Sequence, residues 1–312
     1  MPVYCVTNGG LGLQVMLKAL GVSGEVITTP FSYVATASCP LWEGCSVQFA
    51  DIEPDYLTID PVAVEAAVGP DTEAILATHV FGNPCDCDAL EAIASKHGLA
   101  LIFDAAHAFG VRYKDKSILE YGDASMVSLH ATKLMHSVEG GFVVVKDPSV
   151  AEKVEWMRCF GHKGYDAFHG VGINAKMSEL HAAMGLCNMG HLEEISEKRK
   201  AVCGAYDQAF LNSEAAGVLP FAYRRGASLN HSYYPVVFDS EGSLLSAVER
   251  CNKANIFPRR YFYPDLSSCF GDDHETCPLA IDISQRILCL PLAASMEPAD
   301  ATSVAKTICG ND

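Results

Sequence analysis

The fold is decided by residues 99–108, Leu-Ala-Leu-Ile-Phe-Asp-Ala-Ala-His-Ala, in which an apolar run ends directly in a charged residue. The run Leu99–Phe103 is apolar throughout, which is typical of a strand buried on both faces of a parallel sheet. Asp104 therefore leaves the predicted sheet at its carboxyl edge, where open α/β folds bind their ligands. Taken alone, an aspartate in this place is equally typical of a helix cap or a magnesium ligand.

Similar apolar or β-branched runs recur through the first half of the chain. We predict six further strands, at Val3–Val6, Glu25–Thr28, Val47–Ala50, Ala74–Thr78, Met126–Leu129 and Phe142–Val145. Helical patterns lie between most of them, at Gly12–Leu20, Pro61–Val68 and Cys87–His97. This alternation predicts an α/β fold with a mostly parallel seven-stranded sheet and helices on both of its faces.

The pattern changes near residue 147. Helices are predicted at Asp147–Phe160, Met177–Phe210, Leu244–Ala254 and Ala299–Ile308, strands at Tyr233–Phe238 and Arg286–Leu290, and an irregular stretch at Ile256–Pro264. We expect two domains, because single hydrophobic cores stop growing at about 250–300 residues. Residues 1–190 would form the large α/β domain, and 191–312 a connecting helix and a small α+β domain.

Composition disfavours several classes of protein. The formal net charge of −16, from 22 basic and 38 acidic residues, disfavours nucleic acid or an anionic membrane as a partner. No apolar segment reaches the roughly 20 residues that span a bilayer, and no secretory signal pattern is present. The thirteen scattered cysteines fit a reducing cytoplasm. Only Cys85 and Cys87 lie close together, and they lack zinc-site spacing, so no metal is expected.

A second polar group follows the predicted strand Met126–Leu129. Ser128 lies near its end, Lys133 lies on the turn that follows, and a Glu-Gly-Gly turn comes next at 139–141. A lone lysine in such a turn is usually just solvated. Together with Asp104, these residues are what pyridoxal phosphate (PLP) requires: an amine for a Schiff base, an anion beside the pyridinium nitrogen, and donors for the phosphate.

Five motifs carry a resemblance to a known family: Thr-Pro-Phe-Ser-Tyr-Val-Ala-Thr-Ala (29–37), His-Val-Phe-Gly-Asn-Pro-Cys-Asp (79–86), Asp-Ala-Ala-His-Ala (104–108), Ser-Leu-His-Ala-Thr-Lys (128–133) and Gly-Ile-Asn-Ala-Lys-Met-Ser-Glu (172–179). From Val3 to about Leu292 the chain resembles the DegT/DnrJ/EryC1/StrS sugar aminotransferases, which are fold-type-I PLP enzymes. The resemblance implies transfer of an amino group from an amino acid, L-glutamate, to a nucleotide-linked 4-keto- or 3-keto-6-deoxyhexose. The product would be an amino sugar for a surface polysaccharide or a glycosylated metabolite.

The resemblance implies roles for four residues around the cofactor ring. Lys133 would be the Schiff-base lysine and the base for proton transfer, and Asp104 would pair with the pyridinium nitrogen. His107, expected on the same helix face as Asp104, would lie near the phenolic oxygen or over the ring; the alternative is a core histidine. Tyr33 would stack on the cofactor, and the alternative is a tyrosine packed on a helix face.

The phosphate would be bound by two parts of this chain and one of a neighbour. Gly9 and Gly10 lie between a strand and a helix, so free backbone N–H groups and the helix dipole would face an anion. Most relatives have threonine or serine in place of Gly10. Ser128 matches the family's phosphate-binding serine. Asn174 matches the asparagine that reaches the phosphate of the neighbouring subunit, which implies a homodimer.

Two further groups are candidates for binding the sugar substrate. Arg259 and Arg260, next to Tyr261, would clamp a diphosphate through bidentate contacts, or would form a solvated surface pair. His162 and Lys163 lie in a glycine-bounded loop, the kind of segment that often carries substrate contacts.

Two other functions stay open. One is a PLP-dependent dehydratase or lyase, although family members that dehydrate keto sugars have histidine in place of the lysine. The other is a truncated, non-catalytic homologue with a regulatory role, because the sequence lacks the N-terminal arm and helix of its relatives.

Overall fold

A computed structural model describes residues 1–211, 217–271 and 276–310. Its strands are β1 (Val3–Val6), β2 (Glu25–Thr28), β3 (Ser46–Phe49), β4 (Thr72–Thr78), β5 (Ala100–Asp104), β6 (Arg112–Tyr113), β7 (Lys116–Ser117), β8 (Ala124–Ser128), β9 (Gly141–Val145), β10 (Val218–Pro220), β11 (Pro235–Phe238) and β12 (Ile287–Cys289). Its helices are α1 (Gly9–Leu20), α2 (Ala35–Trp42), α3 (Pro61–Ala67), α4 (Cys87–His97), α5 (Pro148–Met157), α6 (Glu179–Met189), α7 (Leu192–Leu211), α8 (Glu241–Lys253), α9 (Ser267–Phe270), α10 (Pro278–Arg286) and α11 (Pro298–Cys309).

The main sheet has seven strands in the order β1-β9-β8-β5-β4-β2-β3. The neighbours from β8 to β3 are parallel, whereas β9 runs antiparallel to both β1 and β8. One core lies between this sheet and α3 and α4, through residues such as Val64 and Leu90. A second core lies on the other face under α1 and α5, through residues such as Leu13 and Val154. The predicted α/β fold and its mostly parallel seven-stranded sheet are confirmed.

The C-terminal part of the chain contains a small antiparallel sheet in the order β10-β11-β12. Tyr206 of α7, Leu244 of α8 and Val304 of α11 belong to the core that packs on this sheet. A further core joins the two parts of the chain, since it contains Phe31 and Phe262 together. None of the helices in the described ranges is both long and apolar enough to cross a membrane.

The seven strands predicted in the first half are displaced by no more than two residues at either end, and α4 has the predicted bounds. The single helix predicted over Met177–Phe210 is wrong. Ser178 accepts a hydrogen bond from the His181 amide and caps α6, and the chain breaks at Gly190 before α7 begins. Glycine disfavours helix interiors, which explains the interruption. The pattern also did not predict α2, where Pro40 obscures the helical periodicity.

Arg224 fastens the segment before β11 to the main sheet's loops. It is only 8% exposed, and its guanidinium pairs with Glu53. Its Nε donates to the Pro84 carbonyl oxygen at 2.9 Å, and its backbone N–H donates to Asn83 Oδ1 at 2.8 Å. The guanidinium also lies over the ring of Tyr56, 4.3 Å from its centroid. One side chain therefore holds together three segments that are far apart in sequence.

Replacing Arg224 should destabilise the protein strongly. We expect Arg224→Met to lower the free energy of unfolding by about 3 kcal/mol, because removing one partner of a buried pair leaves the other charge uncompensated. Urea denaturation followed by circular dichroism measures this change. The matched control is Lys96→Met, which breaks an exposed pair with Glu65 and should leave the urea midpoint unchanged. Equal effects of the two substitutions would contradict a stabilising role for the buried ion pair of Arg224.

Candidate active site

A cavity of about 440 Å³ opens at the carboxyl edge of the main sheet. The predicted residues that line it are Gly9, Gly10, Tyr33, Asp104, His107, Ser128, Lys133, Arg259 and Tyr261. They converge because β5 and β8 are adjacent parallel strands, so their carboxyl ends meet, and α1 begins beside them. The volume is that of a typical small-molecule or cofactor site.

Asp104 forms a buried acid in this cavity, and it is 3% exposed. Its Oδ2 accepts a hydrogen bond from Thr36 Oγ1 at 3.0 Å, and its Oδ1 accepts one from the Ala106 amide at 3.0 Å. Ser32 and Thr78 extend the hydroxyl chain behind Thr36. Burial raises the pKa of the carboxyl group, although these donors and the nearby Lys133 oppose the rise. The carboxylate is fixed in orientation and has lone pairs left for a ligand.

Lys133 places an amine in the cavity beside this acid. Its Nζ donates to Tyr233 Oη at 3.3 Å. Burial lowers the pKa of the amine to about 8, and the negative charge of Asp104 partly opposes that decrease. A substantial fraction of this lysine is therefore neutral near physiological pH, as a nucleophilic or basic amine requires.

His107 is not on a helix, which corrects the prediction. Residues 105–110 form turns: the Asp104 carboxylate accepts from the Ala106 amide, and the Ala105 carbonyl oxygen accepts from the Ala108 amide three residues later. His107 Nδ1 accepts from the Phe81 N–H at 3.1 Å, so the neutral ring carries its proton on Nε2. Burial lowers the pKa of this histidine well below its usual value. His107 is thus a neutral donor that lines the cavity.

The start of α1 offers free amides to the same cavity. Asn8 Oδ1 caps the helix by accepting from the Leu11 amide at 2.9 Å. Within the described ranges, the amides of Gly9 and Gly10 have no acceptor in the protein. A Cβ at Gly9 would lie 2.8 Å from the sulfur of Met126, so a larger residue here would require the Met126 side chain to shift. The helix N-terminus therefore presents two N–H groups to the cavity, suited to an anion.

Tyr33 and Ser128 complete the cavity wall. Tyr33 precedes α2 and is 56% exposed, so its ring is not packed against a helix face. Ser128 ends β8 and is buried, and its Oγ accepts from the His130 amide at 3.3 Å. An aromatic surface and a hydroxyl are thus available at the rim and at the floor.

Four predicted residues lie outside this cavity. Arg260 pairs with Glu241 through Nη2 at 2.7 Å, so it is not a free clamp. Asn174 is exposed, and its Oδ1 accepts from Lys176 Nζ at 2.7 Å. His162 and Lys163 lie in an exposed loop in which the His162 ring contacts that of Phe168. None of these four lines the cavity that contains Lys133 in its own chain.

A second cavity of about 410 Å³ shares part of its lining with the first. Lys133, Arg259 and Tyr261 line both cavities, whereas Arg199 and Tyr233 line only the second. Arg199, Tyr233 and Thr36 were not predicted from the sequence as site residues. The pattern around Arg199 predicts a helix but does not show which of its residues faces a site. Tyr233 lies 100 residues from Lys133, so the sequence does not indicate that the two side chains are in contact. Of the three, only Thr36 could have been singled out from the sequence, because it lies in the motif at residues 29–37.

The fold and this set of groups define a PLP-dependent enzyme of the aminotransferase class. The chain belongs to the DegT/DnrJ/EryC1/StrS aminotransferase family, whose family model matches residues 3–309. A Shigella dysenteriae relative, dTDP-4-amino-4,6-dideoxy-D-glucose transaminase, is 38% identical over 93% of this chain and 80% of the relative. The crystal structure of DesI with its TDP-sugar product superposes with a TM-score of 0.92 at 33% identity, covering 99% of this chain and 80% of that one. Spr1654 of Streptococcus pneumoniae in its PLP form shares the fold, with a TM-score of 0.91 at 21% identity over 99% of this chain and 86% of that one.

The groups in the first cavity fit PLP. The cofactor needs an amine, an anion for its ring nitrogen, and donors for its phosphate, and the structure brings Lys133, Asp104 and the Gly9–Gly10 amides to one cavity. Within the described residues, no group of three or more His, Cys, Asp or Glu side chains is placed to hold a metal ion.

The lowered pKa of Lys133 predicts the pH dependence of cofactor loading. Only the neutral amine attacks an aldehyde, so the loading rate of the apoprotein should rise about tenfold per pH unit up to pH about 8 and level off above it. Stopped-flow absorbance with PLP measures this rate. Asp104→Asn removes the charge that raises the amine's pKa and should move the plateau to lower pH. A rate that keeps rising to the ordinary lysine pKa of about 10.4 would contradict the desolvated amine.

Proposed function

We propose that this chain transfers an amino group from an amino acid, L-glutamate, to carbon 4 of a dTDP-linked 4-keto-6-deoxyhexose. The observation that carries this proposal is the buried amine of Lys133, which lines both cavities beside the acid Asp104. The names of the Shigella transaminase and of DesI with its TDP-sugar product support the sugar class, and the first supports carbon 4. The product would be an amino sugar for a surface polysaccharide or a glycosylated metabolite.

Two residues would do the chemistry. PLP, when bound, supplies a conjugated ring that accepts the electron pair of a breaking C–H bond. Asp104, beside the ring nitrogen, would keep that nitrogen protonated. Lys133 would hold the cofactor covalently and, once displaced by the substrate's amine, would take and return a proton at Nζ. Burial suits this role, because it lowers the pKa of the free amine to about 8 and so raises its neutral fraction near physiological pH.

The remaining wall residues would orient the cofactor. The amides of Gly9 and Gly10 and the hydroxyl of Ser128 would bind the phosphate. His107 would donate its Nε2–H to the phenolic oxygen, since its Nδ1 already accepts from a backbone amide. Tyr33 would cover the ring. Arg259, exposed at the opening of both cavities, would contact the sugar's diphosphate.

We also infer that the protein works as a homodimer in which Asn174 reaches the phosphate of the partner's cofactor. Asn174 is exposed, and neighbouring α6 exposes large apolar side chains, with Leu180 84% and Leu186 71% exposed. Exposed apolar side chains on one helix favour a protein partner. His162 and Lys163, in the nearby exposed loop, would then serve the partner's substrate rather than their own.

We also propose that the chain has two domains and a cytoplasmic location. The division into a large domain (1–190) and a smaller one (191–312) is supported by the helix break at Gly190. A cytoplasmic location is supported by the thirteen scattered cysteines, a usage that fits a reducing compartment. The presence of Lys133 favours amine transfer over sugar dehydration, because the dehydrating relatives have histidine there.

Amine transfer can be tested directly with the PLP-loaded protein. L-Glutamate and dTDP-4-keto-6-deoxyglucose should give a 4-amino product, detected by mass and by NMR, and the 3-keto isomer should react poorly. We expect Lys133→Ala to lower the transfer rate by at least about a thousandfold, because the covalent anchor and the base are both lost. The matched control, Lys153→Ala on the exposed face of α5, should keep the wild-type rate. A deaminated or dehydrated product, or an active Lys133→Ala variant, would refute the proposal.

A further inference from the structure

The second cavity is positively charged. Lys133, Arg199 and Arg259 line it, and no aspartate or glutamate does so among the described residues. The first cavity differs, because Asp104 and Glu139 line it. Two cavities that meet at one amine therefore offer different electrostatic environments, and the second is the one suited to an additional anion.

Arg199 is the most deeply placed charge in the second cavity. It is 9% exposed. Its Nε donates to the His231 carbonyl oxygen at 2.8 Å, its Nη1 to that of Leu292 at 3.0 Å, and its Nη2 to that of Ser232. These acceptors are neutral, and no ion pair of Arg199 occurs within the described ranges. A guanidinium has five N–H donors, so the group keeps both its charge and unused donors.

Ser232 adds an unpaired hydroxyl to the same wall. It is 7% exposed, and its Oγ has no hydrogen-bond partner among the residues that the structure describes. Buried hydroxyl groups are normally paired, because an unpaired one loses its hydration without compensation. A buried unpaired donor beside a buried uncompensated cation is the combination that an anionic oxygen would satisfy.

We propose that Arg199 and Ser232 bind a carboxylate of the amino acid donor, preferentially the second carboxylate of a dicarboxylic amino acid. This inference rests on the proposed transamination. Ser232 and Arg199 line the cavity that the Lys133 amine also lines, and the hydroxyl of Tyr233, the residue after Ser232, accepts a hydrogen bond from that amine at 3.3 Å. The pair therefore shares a cavity with the amine that would hold the cofactor, where the donor's nitrogen would react. A donor carboxylate is a few bonds from the nitrogen it gives up. The diphosphate of a nucleotide sugar is separated from the reacting carbon by the sugar ring, which places it nearer the exposed Arg259.

The test places a carboxylate in the site by mutation. In Ser232→Asp, the new side chain would pair with Arg199 and occupy the position that we assign to the donor's carboxylate. The matched control is Ser246→Asp, which makes the same change of net charge on an exposed face of α8. Ser232→Ala is the milder variant, since it removes the hydroxyl and leaves Arg199 charged. Thermal melting of each variant checks folding.

Three measurements on the PLP-loaded protein separate the sources of the anion. Calorimetry with glutarate, a dicarboxylate without an amine, measures binding independently of activity. Absorbance changes of the cofactor give the half-saturating concentration of L-glutamate and, in the reverse direction, that of the dTDP-amino sugar. L-Glutamine serves as the donor without a second carboxylate.

We expect Ser232→Asp to weaken glutarate binding and to raise the half-saturating L-glutamate concentration by at least about tenfold, with less than about a twofold change for the amino sugar. Ser232→Ala should give a smaller loss of the same kind, L-glutamine should respond less than L-glutamate, and Ser246→Asp should match the wild type. A loss for the amino sugar alone would assign the cavity to the diphosphate and overturn the proposal. Equal losses for both substrates, or none, would also overturn it. If the wild type transfers no amine, the proposed function fails, while glutarate binding still decides whether the anion site exists.

Discussion

The whole site depends on keeping one amine and one carboxylate out of water at the same edge of a parallel sheet. Burial disfavours charge on Lys133 and on Asp104 alike, and the attraction between them opposes this effect on both. For burial and attraction to balance, the two side chains must lie near each other, and each must be fixed by its own contacts. The pairing of β5 with β8 sets their spacing, and hydrogen bonds from Thr36 and Ala106 fix the carboxylate. A more exposed version of the same pair would keep the lysine protonated.

The parts that the sequence predicted are those determined by local pattern. An apolar run that ends in Asp104 indicates a buried strand and a polar edge, and a second run before Lys133 places a further group at the same edge. Neighbouring strands with parallel direction then bring the two together without any knowledge of the loops. Gly9, Gly10 and Ser128 also line the first cavity, and their binding of a phosphate stays a prediction.

The parts that escaped prediction depend on contacts between distant segments. His107 was expected on a helix, but its segment forms turns in which the Asp104 carboxylate binds the Ala106 amide, and its ring accepts from the distant Phe81 amide. Arg259 and Arg260 look equivalent in the sequence, yet one lines both cavities and the other pairs with Glu241. Arg199 lies on a helix that begins only after the break at Gly190. Sequence periodicity describes each element and contains no information about which partner it meets.

Lys133 lines both cavities, so in the proposed reaction the donor and the acceptor would use the same cofactor. One cofactor would carry one amino group at a time, so the donor and the acceptor could not both react with the same active site at once. Each form of the enzyme would also bind one substrate without reacting. The acceptor can enter before the cofactor has received the amino group, and the donor can enter after it has. In the proposed reaction, the rate of amino-sugar formation would therefore depend on the ratio of the two substrate concentrations, and an excess of either substrate would slow the enzyme.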